Sequence, residues 1–221
     1  MYRMLGAIAM GLLATTLAQA HFPFIVLGDK GDSAKVVFSD SLEPDTNVNI
    51  EKLANTKLTL RDSAGKDSAL EWKKGEGFYA VNVPGTGDRV VFGTTDYGVL
   101  QKGDAKPFKL MYYPKAVVGT ATAKAIGEKQ PLEIVAEGKS AALRFQVLLA
   151  GKPLENAEVT VMLPAGNKKA LTTDKNGFTT PIDGAGRYGV YAKHIEAKAG
   201  EHAGKKYDEI RHYATLVCDV K

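Results

Sequence analysis

Short apolar runs, each closed by glycine, aspartate or proline, recur along almost the whole chain. In the first half they read "AKVVFSD", "KLTLRD", "ALEWKK", "GFYAVNVP", "DRVVFGTT" and "FKLMYY". The segments between them, "GDKGD", "DSAGKD", "KKGEG" and "PGTGD", supply the positive-φ glycines and aspartates of tight turns. No stretch has the apolar spacing of an amphipathic helix. A second set begins at "LEIVA" and continues through "AALRFQVLLA", "AEVTVMLP", "KKALTTD", "GFTTPI", "GRYGVYAKHI" and "YDEIRHYATLVCDV". Strands this short at this spacing predict an all-β protein of two consecutive antiparallel β-sandwiches, over residues 21–120 and 132–221. Residues 121–131 lack a strand pattern and read as a linker. Trp72 is expected to anchor the first core.

The single cysteine, Cys218, excludes an internal disulfide framework, so the fold must rest on buried apolar surface. The first twenty residues have the build of a secretory signal: Arg3, an apolar run from Met4 to Leu17, then Ala18-Gln19-Ala20. The run is too short to cross a bilayer, and no later segment is apolar enough to do so. The expectation is cleavage after Ala20, with cleavage after Ala18 as the alternative, and a periplasmic or secreted chain without a membrane span. Without Arg3, 28 of the 29 basic residues remain against 25 acidic ones, interspersed rather than clustered. A nucleic-acid partner would need a basic face, and none is visible. Nor is there a phosphate-binding glycine loop, a CxxC pair, a GxSxG elbow or an HExxH helix.

The four histidines are more informative. Cleavage after Ala20 leaves His21 with a free α-amine beside its imidazole, and the two can chelate one metal ion. Their ordinary pKa values, about 7.7–8.0 and 6.5, make deprotonation cheap near neutrality. Pro23 has no N–H and cannot add an amide ligand, so other ligands must come from elsewhere in the fold. His194, His202 and His212 crowd the last stretch. Residues paired across a symmetric hairpin share one positional sum, and that of 194 and 212 centres the turn on Ala203, inside "AGEHAGK". His194 and His212 then face each other, with Cβ atoms about 4.5–5.5 Å apart. By period-two alternation they share a face with Val190, Ala192, Ala214, Leu216 and Cys218. Tyr191, Lys193, Arg211, Tyr213 and Thr215 form the other, charged face. A one-residue slip in the long loop would break the pair. His202, at the tip beside Glu201, is expected in solvent. Asp96, before Tyr97-Gly98, is as well suited to a turn as to a ligand role, and Tyr97, Tyr112 and Tyr113 suit half-buried sheet positions.

Two resemblances add expectations. Gly151-Lys152-Pro153 with Ala157 and Val159, Thr173-Asp174 with Gly177, and Gly186-Arg187-Tyr188 resemble the prealbumin-like modules appended to carboxypeptidases and surface proteins, over residues 140–194. "HFPF", "TTDYGVL…KPFKLMYYPKA" and "YGVYAKHIEAKAGEHAGKKYDEIRHYATL" together resemble the exported NikM-like domain-of-unknown-function family. That resemblance implies a periplasmic component of cobalt or nickel uptake. It implies His21, His194 and His212 as metal ligands, accompanied by Asp96, Tyr113, Lys115 and Tyr213. An N-terminal histidine chelate favours copper, with nickel, cobalt and zinc as alternatives. The leading expectation is a protein that captures, buffers or delivers the ion, with a membrane metal transporter or another envelope protein as partner. A copper-dependent oxidase or monooxygenase and a metal-free envelope interaction protein are the alternatives.

Overall fold

The structure, a computed structural model, describes residues 21–119 and 125–221; the expected leader and the first part of the 121–131 linker lie outside the described residues. Apart from one 3-10 turn (Ile50–Leu53), every regular element among the described residues is a strand. The chain is an all-β sandwich protein.

Eight strands make the central sheet. In spatial order they are β13 (Lys168–Thr172), β12 (Glu158–Met162), β14 (Gly186–Glu196), β17 (Glu209–Val220), β8 (Phe108–Val118), β7 (Arg89–Leu100), β3 (Lys57–Arg61) and β4 (Asp67–Leu70). A smaller sheet of β1 (Phe22–Leu27), β2 (Ser33–Ser39), β6 (Phe78–Asn82) and β5 (Trp72–Lys74) covers one face. A third, of β9 (Leu132–Glu137), β10 (Arg144–Leu149) and β11 (Lys152–Pro153), covers the other. A ribbon of β15 (Gly200–His202) and β16 (Lys205–Tyr207) extends the hairpin between β14 and β17.

The two halves of the sequence meet where β8 and β17 pair in parallel, Phe108 opposite Glu209 through Val117 opposite Cys218. A parallel pair needs a long connection, and the chain between the two strands, which includes the whole second set, supplies it. The other strand pairings are antiparallel, as expected.

Both faces of β8 and β17 are buried, each by a different layer. Leu110, Tyr112, Ala116, Val118 and Val217 join the first core with Phe22, Phe24 and Val36. Tyr113, Val117, Ala214, Leu216 and Cys218 join the second with Ile134, Phe145 and Val190. Tyr191, Lys193, Arg211, Tyr213 and Thr215 do lie on the face opposite the histidines, as the alternation predicts, but that face is not the charged one the sequence suggests, although Lys193 is exposed on it. β1 covers it: Phe22 stacks on Tyr191 with ring centroids 4.2 Å apart, and Thr215 donates to the Pro23 carbonyl at 2.6 Å. Tyrosine and threonine look polar in a sequence, but their rings and methyls bury readily once the hydroxyl has room or an acceptor. Fully burying the Phe22 ring that covers them contributes roughly 1.5–3 kcal/mol.

Two expected strands differ. "ALEWKK" breaks at Glu71, because Ala69 and Leu70 pair in the central sheet while Trp72 to Lys74 cross into the small one, where Trp72 stacks on Tyr79. "GFTTPI" is not a strand. It is tied by isolated bridges, Gln146 to Phe178 and Leu143 to Ile182, and Pro181 denies a continuous ladder its N–H.

Candidate functional site

His194 and His212 are direct partners in the β14–β17 ladder, in the register expected of a hairpin centred on Ala203. Ala203 and Gly204 both take positive φ, as a two-residue hairpin turn demands. The ribbon itself is offset by one residue, Glu201 opposite Lys206, and the slip is absorbed between Glu196 and Gly200 without disturbing the histidines. The two rings lie 6.2 Å apart between centroids, tilted by 30°.

His212 is held at both nitrogens. Its Nε2 lies 3.2 Å from a Glu196 carboxylate oxygen, and its Nδ1 lies 2.9 Å from the Tyr113 hydroxyl. A carboxylate only accepts, so Nε2 carries the proton. In a neutral ring Nδ1 then accepts from Tyr113. The rest of the site supports that state. Burial pulls the His212 pKa below its ordinary value, against the opposing pull of Glu196, and His194 lowers it further. Burial, then the charges of Asp96 and Glu196, push Tyr113 up, so the phenol stays a donor. Tyr113 also lies nearly parallel to the His212 ring, at 5.8 Å and 15°.

Beyond this pair the same face carries a second polar group. Asp96 accepts from the Gly98 N–H at 3.1 Å, forming the turn at a β-bulge of β7. It also holds Lys109 at 2.9 Å and lies 3.7 Å from His202 Nε2. Asp96 is therefore both turn former and ion-pair partner. His202 is half-buried rather than solvated, because the ribbon folds back over β7 and β8 and brings its Nδ1 to 3.4 Å from the Lys109 ammonium.

The remaining expected positions lie elsewhere. His21 precedes β1, on the first face of the central sheet. Its Nε2 bonds Asp45 at 3.0 Å, its ring lies 6.0 Å from Phe38, and its carbonyl accepts from Tyr112. The central sheet thus separates His21 from the pair, since neighbouring residues of a strand point to opposite faces and Tyr112 and Tyr113 lie on opposite ones. Tyr213 is on the His21 side as well, tilted against Phe22 at 5.2 Å, and does not accompany His212. Lys115 shares the face of Tyr113, but its ammonium is 2.6 Å from Glu133, with both side chains fully buried. The Ile126 and Gly127 N–H groups complete the Glu133 carboxylate. This ion pair ties β8 to β9 and has no part in the histidine cluster. Among the described residues, no three His, Cys, Asp or Glu side chains stand ready as a metal cage.

Glu196 is the participant that sequence reading missed. Its signal was available: it stands two residues beyond His194 and therefore on the same face of β14.

A family model described as a domain of unknown function (DUF4198) matches residues 18–196. No curated protein matches the chain. Among solved structures, a tetra-tandem repeat in the extending region of a large adhesion protein is similar at 16% identity and a TM-score of 0.24, covering 90% of this chain and 50% of that one. A pullulanase from Anoxybacillus sp. LM18-11 is similar at 14% identity and a TM-score of 0.22, covering 85% of this chain and 27% of that one. The chain spans half or less of the length of either structure, and at such TM-scores neither likeness bears on function.

Proposed function

This chain belongs to the family described as a domain of unknown function (DUF4198), and we propose that it is an exported protein that binds a transition-metal ion through His194 and His212, with Glu196 as the third ligand. The observation that carries the reading is the direct cross-strand register of the two histidines. Their rings are close enough for one nitrogen of each to turn onto a common ion at about 2 Å. Glu196 already reaches the nitrogen of His212 that would bind, and a small rotation converts it from hydrogen-bond acceptor to ligand. When Nε2 takes a metal, the ring proton moves to Nδ1 and the Tyr113 oxygen accepts it, which fixes ring orientation from behind.

Two imidazoles and a carboxylate suit Cu(II) above Ni(II), Co(II) and Zn(II) on intrinsic affinity, and the NikM-like resemblance favours nickel or cobalt. Capture and hand-over, to a membrane transporter or another envelope protein of the periplasm, fit a site at the end of a rigid sheet. The prealbumin-like likeness of residues 140–194 fits the same picture of a scaffold carrying a site at its rim.

The test is thermal unfolding and calorimetric titration of the processed protein with Cu(II), Ni(II), Co(II) and Zn(II). Binding should stabilise the native state by about 2.7 kcal/mol at a hundredfold excess of free metal over Kd. His194→Ala and His212→Gln should each weaken binding at least tenfold, and His202→Ala should leave it within twofold. No stabilisation by any of the four ions, or equal binding by the double variant, would overturn the reading.

A further inference from the structure

The other face of the central sheet carries a separate opening, beside His21 at the start of β1. It is a cavity of about 550 Å³, within the size range of small-molecule sites. Its wall is aromatic. Phe38, Tyr97 and Tyr112 surround the space at mutual centroid distances of 5.6–6.1 Å, tilted by 47–87°. Rings set edge-to-face present the geometry in which another flat ring packs best.

The rim is cationic. Lys52, from the 3-10 turn, and Lys102, from the loop between β7 and β8, both border the opening and are exposed. Neither has an ion-pair partner among the described residues. Arg211 closes the floor, its guanidinium 3.6 Å over the Phe108 ring and paired with Glu209. No Asp or Glu is among the described residues that line the cavity. Asp45, beside the opening, is committed to His21, and Glu209 to Arg211. Processing after Ala20 would add an ammonium group to the same rim.

We infer that this cavity is a binding site for a small aromatic carboxylate, its ring held among Phe38, Tyr97 and Tyr112 and its anionic group directed to Lys52 and Lys102. The site is independent of the histidine pair, which lies across the sheet.

The experiment is NMR titration of the protein, expressed from its full coding sequence, with 2-naphthoate. Acetate and 2-naphthalenemethanol serve as controls, lacking respectively the ring and the charge. Naphthoate should bind saturably, shifting Phe38, Tyr97 and Tyr112, and each control should bind at least tenfold more weakly. Lys52→Ala with Lys102→Ala, both surface changes, should weaken naphthoate at least tenfold. His194→Ala with His212→Gln should not change it. The proposal is overturned if naphthoate does not saturate, if the neutral alcohol binds as well, if the lysine variant binds unchanged, or if the shifts centre elsewhere.

Discussion

The two faces of β8 and β17 run the same length, yet their open ends are built differently. On the first face, β1 and β2 close the sheet with rings: Phe22 of β1 on Tyr191 and Tyr213, Phe38 of β2 against Tyr97 and Tyr112. On the second, the apolar core of Leu216, Ala214 and Val190 gives way to Tyr113, His212 and Glu196, which hydrogen-bond in series, with the His194 ring beside His212. A one-residue step along a strand moves a side chain between these environments. Tyr112 and Tyr113 are adjacent in sequence, one among aromatic rings and the other donating to a histidine. Identity of residue type thus says less here than parity and the layer that covers it.

The largest expected effects test the core layers on either side. Phe22→Ala removes a buried, stacked ring and should cost about 3–5 kcal/mol in denaturant unfolding, while leaving metal affinity of the folded protein unchanged. A loss of metal binding in that variant would mean that the two faces are not separate. On the second face, Lys115→Met strands the Glu133 charge in the interior and should cost about 3–5 kcal/mol. Adding Glu133→Leu should recover much of it, because the buried carboxylate then disappears too. A variant as stable as the parent would deny the ion pair its structural role.

These contrasts also mark what the sequence makes legible. The strands are readable because their runs are short and their turns chemically explicit, and the His194–His212 register follows from hairpin arithmetic confined to one local segment. Which layer lies over each face is not readable. The parallel contact of β8 with β17 joins residues about a hundred positions apart, and no local pattern reports it. For the same reason Tyr213 and Lys115, which the family resemblance implies as companions of the histidines, belong to Phe22 and Glu133. His21 and the pair each suit a metal by residue type, but a sheet stands between them.

Smaller effects sharpen the polar end. Tyr113→Phe removes one hydrogen bond to His212 and should cost about 0.5–1.5 kcal/mol of stability. It should also weaken metal binding about tenfold, since the ring loses its orienting partner. Undiminished affinity would remove Tyr113 from the site.

The least effect is on pH dependence. The folded His212 pKa is depressed, so the unfolded chain binds the proton more readily, and stability should fall as pH drops below about 6.5. The loss should level off once pH passes the folded value. His212→Gln should remove this component of the slope, and an unchanged slope would show that the ring is not held neutral.

Anomalous diffraction from crystals grown with Cu(II) or Ni(II) locates the ion without reference to affinity. A peak within bonding distance of His194, His212 and Glu196, with none at His21, is the predicted result. A peak at the His21 imidazole and α-amine, with the paired histidines empty, would contradict the account.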